Sequence, residues 1–249
     1  MGKADLHVHT TYSYDGTATV AATLEYAKRH TDLTTIAITD HDTIDGALEA
    51  VALAPRYGIE VIPGIEVTTA EGHLLALFVQ APIPAGRSLI ETVHLVAEQG
   101  GIAIAAHPGG PWRWCLREAN IAAALADAQI AQTLVGLEAY NASLPNLALN
   151  QHACAMGQRL PLAMVGASDA HMLWMIGMAA TWFPGEGSRD LRTALAHRTT
   201  TLSVSARPAH FLASYLKHQL LRMIGLAQSA PSTPGAPIAF RRMAAIHQP

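Results

Sequence analysis

Apolar positions in this chain come in short continuous runs, separated by stretches where they recur every three or four residues. The first spacing is that of buried strands, the second that of helices with one covered face. Strands are expected at residues 4–9, 33–39, 59–67, 73–80, 102–106, 134–140 and 162–167, with shorter extended pieces at 177–183 and 200–204. Helices are expected at 18–30, 45–54, 88–99, 120–131, 146–156 and 188–197. Such alternation is the pattern of a parallel α/β sheet. Pro55 and Gly58 stop the second helix, and Gly100-Gly101 the third. Ser88 with Glu91 three residues on has capping-box spacing. Pro63-Gly64 inside the third strand predicts a bulge. Beyond Arg207-Pro208 the pattern changes. Leu212, Tyr215, Leu216, Leu220, Met223 and Ile224 share one face of an amphipathic helix at 210–226, expected to pack on the domain's own flank. Residues 229–237, rich in Pro, Ser and Gly, read as a flexible tail. The chain thus divides into an α/β domain at 1–207 and a helix with a tail at 208–249.

Polar residues of one kind gather at the strand ends. Asp5, His7 and His9 alternate with Leu6 and Val8, so an acid and two imidazoles face one way and the apolar pair the other. A divalent cation compensates such a face naturally, although His-x-His alone also fits a wet edge strand. His41 follows the second strand, Glu66 lies near the end of the third, His107 follows the fifth, and Asp169 and His171 follow the seventh. Asp15 sits in the first loop. His73 opens its strand instead of ending it, and reaches the same rim only if the fourth strand is antiparallel, as the turn at Glu71-Gly72 allows. Catalytic groups of βα barrels gather at the C-terminal rim. The remaining histidines (His30, His94, His152, His197, His210, His218 and His247) fall on helices or in the tail and read as non-ligands.

Composition narrows the class. Of 249 residues, 50% are hydrophobic and 14% charged, ample for a sizeable core. A net charge of -3 gives no basic surface for bulk nucleic-acid binding. No run of about 18 apolar residues is present, so no membrane span is expected. Cys115 and Cys154 are too few for a disulfide framework; they read as buried or incidental and point to a reducing, cytoplasmic compartment. A cleaved signal peptide would remove His7 and His9 themselves and is not expected. Mixed imidazole and carboxylate ligands suit Mn, Fe or Zn better than Mg. Two such ions about 3.5–4 Å apart can clamp the attacking and leaving oxygens of a phosphoryl transfer and acidify a water, so no serine or cysteine nucleophile is required.

Taken in order, Asp5-Leu6-His7-Val8-His9-Thr10, Thr39-Asp40-His41-Asp42-Thr43, Pro63-Gly64-Ile65-Glu66, Ala106-His107-Pro108 and Ala167-Ser168-Asp169-Ala170-His171 resemble the successive motifs of the PHP family, named for polymerase and histidinol phosphatase. The resemblance covers roughly the first 205 residues. It implies a distorted (β/α)7 barrel, a di- or trinuclear metal centre and phosphoesterase activity. Carried over, it puts one metal on His7, His9, Glu66 and Asp169. A second falls on Glu66, His73 and His107, with Glu66 as the bridge, and a third on Asp15, His41 and His171. Asp5, Asp40 and Asp42 are expected to orient imidazoles through the other ring nitrogen. Glu138 and Asn141, at a strand end, are expected either to line the pocket or to pack beneath it. Arg113, between Trp112 and Trp114, is the candidate to grip a phosphate, with Arg87 a weaker one, and Trp112 or Trp114 could stack on a ring. Met172, Trp174, Met175, Met178 and Trp182 are expected to cover the barrel. The implied substrate is a small phosphomonoester, a nucleotide or the end of a short RNA or DNA. Relatives resembling nucleotide phosphatases often carry a long insertion after the fourth strand; residues 80–88 form only a short connection, so a lid domain is missing. Two other readings stay open: a catalytically silent metal-bound interaction module, and a barrel metallohydrolase acting on a non-phosphate bond. Oligomeric state is not legible.

Overall fold

The computed structural model of the chain describes residues 1–143 and 147–205, with positions 213, 214, 216, 217 and 220 beyond them. In chain order the elements are β1 (Gly2–Asp5), α1 (Val20–His30), β2 (Thr35–Ile38), α2 (Asp45–Tyr57), β3 (Glu60–Thr68), β4 (His73–Leu77), α3 (Leu89–Glu98) and β5 (Ile102–Ala105). They continue as α4 (Glu118–Leu125), α5 (Ala128–Thr133), β6 (Leu134–Asn141), α6 (Leu147–Arg159), β7 (Ala163–Ala167), β8 (Ala179–Phe183), α7 (Gly187–His197) and β9 (Thr201–Val204). The strands form one sheet in the order β7-β6-β5-β4-β3-β2-β1-β8-β9. β1, β2 and β3 are parallel, as are β5, β6 and β7. β4 runs against both of its neighbours, as the Glu71-Gly72 turn requires, and β8 runs against β1 and β9.

The sheet curls until its ends nearly meet. Thr181 of β8 closes the gap with its side chain: the hydroxyl accepts from Gly166 N–H at 3.1 Å and donates to Gly166 C=O at 2.9 Å. Glycine is needed there, because a Cβ on residue 166 would stand 2.6 Å from Ala180 O. Just past the C-terminal ends of the strands the chain beyond β1 joins the chain beyond β7 directly. Val8 and Ala170 form a parallel bridge, with His9 N–H donating to Ala170 O at 2.9 Å and Ala170 N–H to His7 O at 3.2 Å. One side-chain layer fills the inside, with Leu6, Ile62, Leu75, Ile104, Val165 and Phe183, and α7 contributes Leu191 and Leu195 to it. The other layer, with Ile36, Ile38, Val67, Leu74 and Ala103, packs under Leu24, Val93 and Met156 of the surrounding helices. Strand residues therefore alternate between two buried faces, which is why their runs are almost wholly apolar.

Several boundaries differ from expectation for local reasons. The first strand ends at Asp5, not His9, because its ladder pairing stops there, at Ala4 with β8 and at Asp5 with β2. α2 runs through Pro55 to Tyr57 and closes on Gly58, whose positive φ of 63° lets its N–H reach Ala54 O. The helix expected at 120–131 splits in two, because Asp127 accepts from Gln129 N–H and Ile130 N–H and starts a new helix. No bulge forms at Pro63-Gly64. Instead β3 changes partners there: residues up to Pro63 pair with β2, and Gly64 onward pair with β4. The capping box on α3 is present as read, with Ser88 and Glu91 satisfying each other's backbone N–H. Met175 and Met178 are buried in the helix-side layer and do not cover the mouth. The C-terminal helix and tail lie mostly outside the described residues; positions 213, 214, 216, 217 and 220 are helical. Leu216 and Leu220 are 56% and 57% exposed there, so flank packing is not seen at those two leucines.

Candidate metal centre

Parallel strands deliver their C-terminal ends to one rim. His7 follows β1, His41 follows β2, Glu66 lies near the end of β3, His107 follows β5, and Asp169 and His171 follow β7. His73 reaches the same rim from the start of the antiparallel β4, opposite Thr68 of β3. All nine expected positions converge. Glu66 is 1% exposed and lies at their centre. Its Oε1 is 2.7 Å from His73 Nδ1 and 2.9 Å from His107 Nε2. Its Oε2 is 3.1 Å from His7 Nε2, 3.3 Å from His9 Nε2 and 3.0 Å from His41 Nδ1. Asp169 Oδ1 stands 3.4 Å from His7 Nε2 and 3.2 Å from His9 Nε2. Asp15 Oδ2 meets His41 Nε2 at 3.4 Å and His171 Nε2 at 3.2 Å. Three groups bring ligand atoms within 4.8 Å of one another: His7, His9 and Glu66; His41, Glu66 and His73; and His9, Asp15, His41 and His171.

The donor set fits a divalent cation. Ser13 Oγ donates to Asp40 at 2.9 Å, so in its 2.9 Å contact with His9 Nδ1 the ring is the donor. Glu138 Oε1, 2.7 Å from His7 Nδ1, likewise takes that ring's proton. Hydrogen-bond partners thereby assign both tautomers. The two Nε2 lone pairs then face each other at 3.0 Å, beside Glu66 Oε2 and Asp169 Oδ1. Four lone-pair donors turned toward one point in a buried site call for a positive charge between them. Without one, protons serve. Burial works against a charged His9 ring, but hydrogen bonds to Asp169 and Glu66 overcome it and hold the pKa up at about 10. His7 is likewise raised, by Asp169, Glu66 and Glu138 against its burial. Burial would raise Glu66, yet His41, His7 and His73 hold it well below the usual carboxylate range. Asp15 is lowered in the same way by His171 and His41.

The residues expected to orient imidazoles need correction. Asp5 touches no ring: its carboxylate accepts backbone N–H groups from Ser168 at 3.0 Å, Gly177 at 2.9 Å and His7 at 3.5 Å. Burial raises its pKa to about 6 against those hydrogen bonds. Asp42 accepts from Thr68 N–H at 2.7 Å and holds β2's extension against β3. Asp40 acts one step removed, fixing Thr10 at 2.6 and 2.7 Å and Ser13, which in turn holds His9. Of the two places open to Glu138 and Asn141, lining the pocket or packing beneath it, both take the second, being 0% exposed. Strand position alone could not separate a lining group from one packed beneath the ligands. Cys115, expected to be buried or incidental, is buried and places Sγ 3.8 Å from His107 Nδ1, and Gly110 makes room for that sulfur. In the loop after His107, Trp112 and Trp114 are parallel within 3°, with ring centroids 5.6 Å apart. Trp114 O accepts from His73 N–H at 2.8 Å, and Arg113, between the two tryptophans in sequence, is exposed. Arg87 is exposed and lies 3.9 Å from Glu91. Tyr14, which had drawn no attention, is 67% exposed and stacks on His41 at 5.0 Å.

A rim of buried imidazoles and carboxylates on a nearly closed α/β barrel is the setting of a metal-dependent hydrolase. The chain belongs to the PHP domain family, which it matches over residues 5–153, followed by a PHP-associated region over 148–200. It is 38% identical over 164 residues to an uncharacterized protein of Methanocaldococcus jannaschii, covering 60% of this chain and 90% of that one. It is 30% identical over 128 residues to the 3',5'-nucleoside bisphosphate phosphatase of Chromobacterium violaceum, covering 46% of this chain and 44% of that enzyme. In fold it resembles a two-domain protein from Bacteroides vulgatus containing a predicted PHP-like metal-dependent phosphoesterase, with a TM-score of 0.65 at 20% identity over 87% of this chain and 69% of that one. No helix among the described residues is long and apolar enough to cross a membrane.

Proposed function

We propose that this centre holds two or three divalent ions, drawn from Mn, Fe and Zn, and hydrolyses the phosphoric ester of a small molecule. The observation that carries the reading is Glu66, whose two oxygens face two different sets of imidazoles: His73 and His107 on one side, His7, His9 and His41 on the other. A carboxylate so placed can bridge two cations and cancel part of their charge. His7, His9, Glu66 and Asp169 would hold the first, Glu66, His73 and His107 the second, and Asp15, His41 and His171 the third. When bound, the ions supply Lewis acidity and a water acidified toward neutral pH. The chain supplies the frame. Thr10 and Ser13 hydroxyls are committed to Asp40, and Cys115 is 2% exposed behind His107, so none of the three is available as a nucleophile.

The mouth supports a small substrate with a flat ring. Trp114 is 43% exposed and neighbours His73 and His107 through its own carbonyl and the next residue's thiol. Arg113 beside it is the candidate for a phosphate. The connection after β4 is short, and Gln99 pins it at Gln80 N–H and Ala81 N–H, so this stretch builds no lid. A nucleotide or a short oligonucleotide end fits these features, in line with the nucleoside bisphosphate named for the Chromobacterium relative. Two free cysteines suit a reducing, cytoplasmic setting. The test is hydrolysis of a chromogenic phosphomonoester with added Mn, Fe or Zn. At matched metal occupancy, Glu66→Ala should cost about 10³-fold in kcat/KM and Asp15→Asn about 10–100-fold, because only the first removes a bridge. Equal losses would refute the bridge. No turnover above metal-free protein with any of the three ions would refute the phosphoesterase.

A further inference from the structure

β6 carries none of the proposed ligands, yet its end is buried directly beneath them. Glu138 Oε1 takes the Nδ1 proton of His7 at 2.7 Å. Its Oε2 accepts from the backbone N–H of His107 at 2.7 Å and from Asn141 Nδ2 at 2.9 Å. Asn141 Nδ2 also reaches Asp169 Oδ2 at 3.2 Å. Asn141 is itself fixed by Asn150 of α6, which accepts from its N–H at 2.9 Å and donates to its C=O at 3.0 Å.

Two consequences follow from the chemistry of one carboxylate. It can only accept, so His7 keeps its proton on Nδ1 and turns the Nε2 lone pair toward Glu66 and Asp169. Its other oxygen secures His107, whose φ of +30° is unfavourable for any residue but glycine. His7 and His107 belong to different metal positions on the reading above. Two other proposed ligands are held from a different side: Ser13, anchored on Asp40, holds the His9 ring at 2.9 Å and accepts from His41 N–H at 3.0 Å.

We propose that Glu138 is a positioning residue that couples the first two metal positions through His7 and His107, and leaves the third independent. The inference rests on the metal-centre reading. Glu138→Gln cannot reproduce the arrangement. Its one oxygen can serve either His7 Nδ1 or the His107 and Asn141 donors, and its amide must oppose the other.

Zinc is the probe. Bound zinc per chain is counted after gel filtration, affinities come from competition with a chromophoric chelator, and circular dichroism checks the fold. Wild type should load its sites, while Glu138→Gln should lose about 10–100-fold in affinity at two positions and retain the zinc held by Asp15, His41 and His171. Equal affinity at every position in the folded variant would overturn the proposal and leave the metal centre standing. Failure of the wild type to bind zinc, Mn or Fe would overturn the metal centre itself. If Glu138→Gln does not fold, long-range ¹H–¹⁵N correlation on the zinc-loaded wild type decides. A proton on His7 Nδ1 with the metal on Nε2 is expected; zinc on His7 Nδ1 would overturn the proposal.

Discussion

Raising the pH should tighten metal binding, and the centre's electrostatics set the size of the effect. In the metal-free protein, Asp169 and Glu66 outweigh burial and hold His9 at a pKa of about 10, with His7 and His107 also raised. At pH 7 His9 therefore carries a proton that a metal must displace. The gap of about three pH units corresponds to about 4 kcal/mol. Each displaced proton should raise apparent affinity about tenfold per pH unit until the pH reaches the ring's pKa. The stability of the metal-free fold moves the other way. A histidine whose pKa rises on folding stabilises the native state fully below its unfolded value of 6.5, and that contribution is lost as pH climbs through about 10. Metal-free protein should thus weaken from pH 7 to 10, while loaded protein, whose rings hold a cation in place of protons, should not. Zinc calorimetry at pH 7 in buffers of different ionisation enthalpy counts the protons released, and chelator competition from pH 6.5 to 9 gives the slope. At least about one proton per chain and a tenfold gain per unit are expected. An affinity flat across that window would refute the reasoning.

Two further substitutions probe the frame and the mouth. Gly166→Ala would put a methyl 2.6 Å from Ala180 O at the barrel seam and should cost about 2–4 kcal/mol, read as a lower thermal midpoint with or without metal. Trp114→Ala should raise KM for a nucleoside monophosphate roughly 5–30-fold, the worth of about 1–2 kcal/mol of stacking, while KM for glycerol phosphate stays unchanged; an equal rise for both would remove the aromatic platform from the substrate site.

Much of the barrel was legible because its strands are buried on both faces, which writes them as apolar runs too short for helices. The cluster at the rim was legible because an imidazole or carboxylate just past such a run has few other uses. Reading His73 correctly needed the turn as well as the residue, since only an antiparallel β4 brings the start of a strand to the rim. What stayed hidden depends on contacts between distant segments. Val8 and Ala170 meet across the barrel closure, and no local pattern pairs them. Glu138 could not be placed because alternation gives the face of a strand but not the depth at which another segment covers it. Asp5 was misread for a related reason: its partners are the backbone N–H groups of Ser168 and Gly177, which reach it only once the barrel has closed. The short connection at Gln80 to Ser88, by contrast, needed only counting.

Backbone strain singles out the same centre independently of any side-chain chemistry. Among the described residues, five that are not glycine have positive φ, and three of them stand at the rim: Asp42 at 55°, His107 at 30° and Asp169 at 51°. Such residues cost of order 1–3 kcal/mol each and persist only where their surroundings over-determine them. Each of the three is so held. Asp42 donates its N–H to Glu66 O at 3.0 Å and accepts from Thr68 N–H, His107 donates its N–H to Glu138, and Asp169 is gripped by Asn141 and by His171 Nδ1 on its own carbonyl. The reason lies in the turn from strand to loop. His107 and Asp169 each follow the last residue of their strand, Ala105 and Ala167, by two positions. There the chain must leave the barrel wall within a residue or two while its side chain stays over the mouth, and a left-handed φ achieves both. The strain therefore falls on proposed ligands and their immediate neighbours, and at His107 and Asp169 the buried Glu138 and Asn141 help keep it from relaxing.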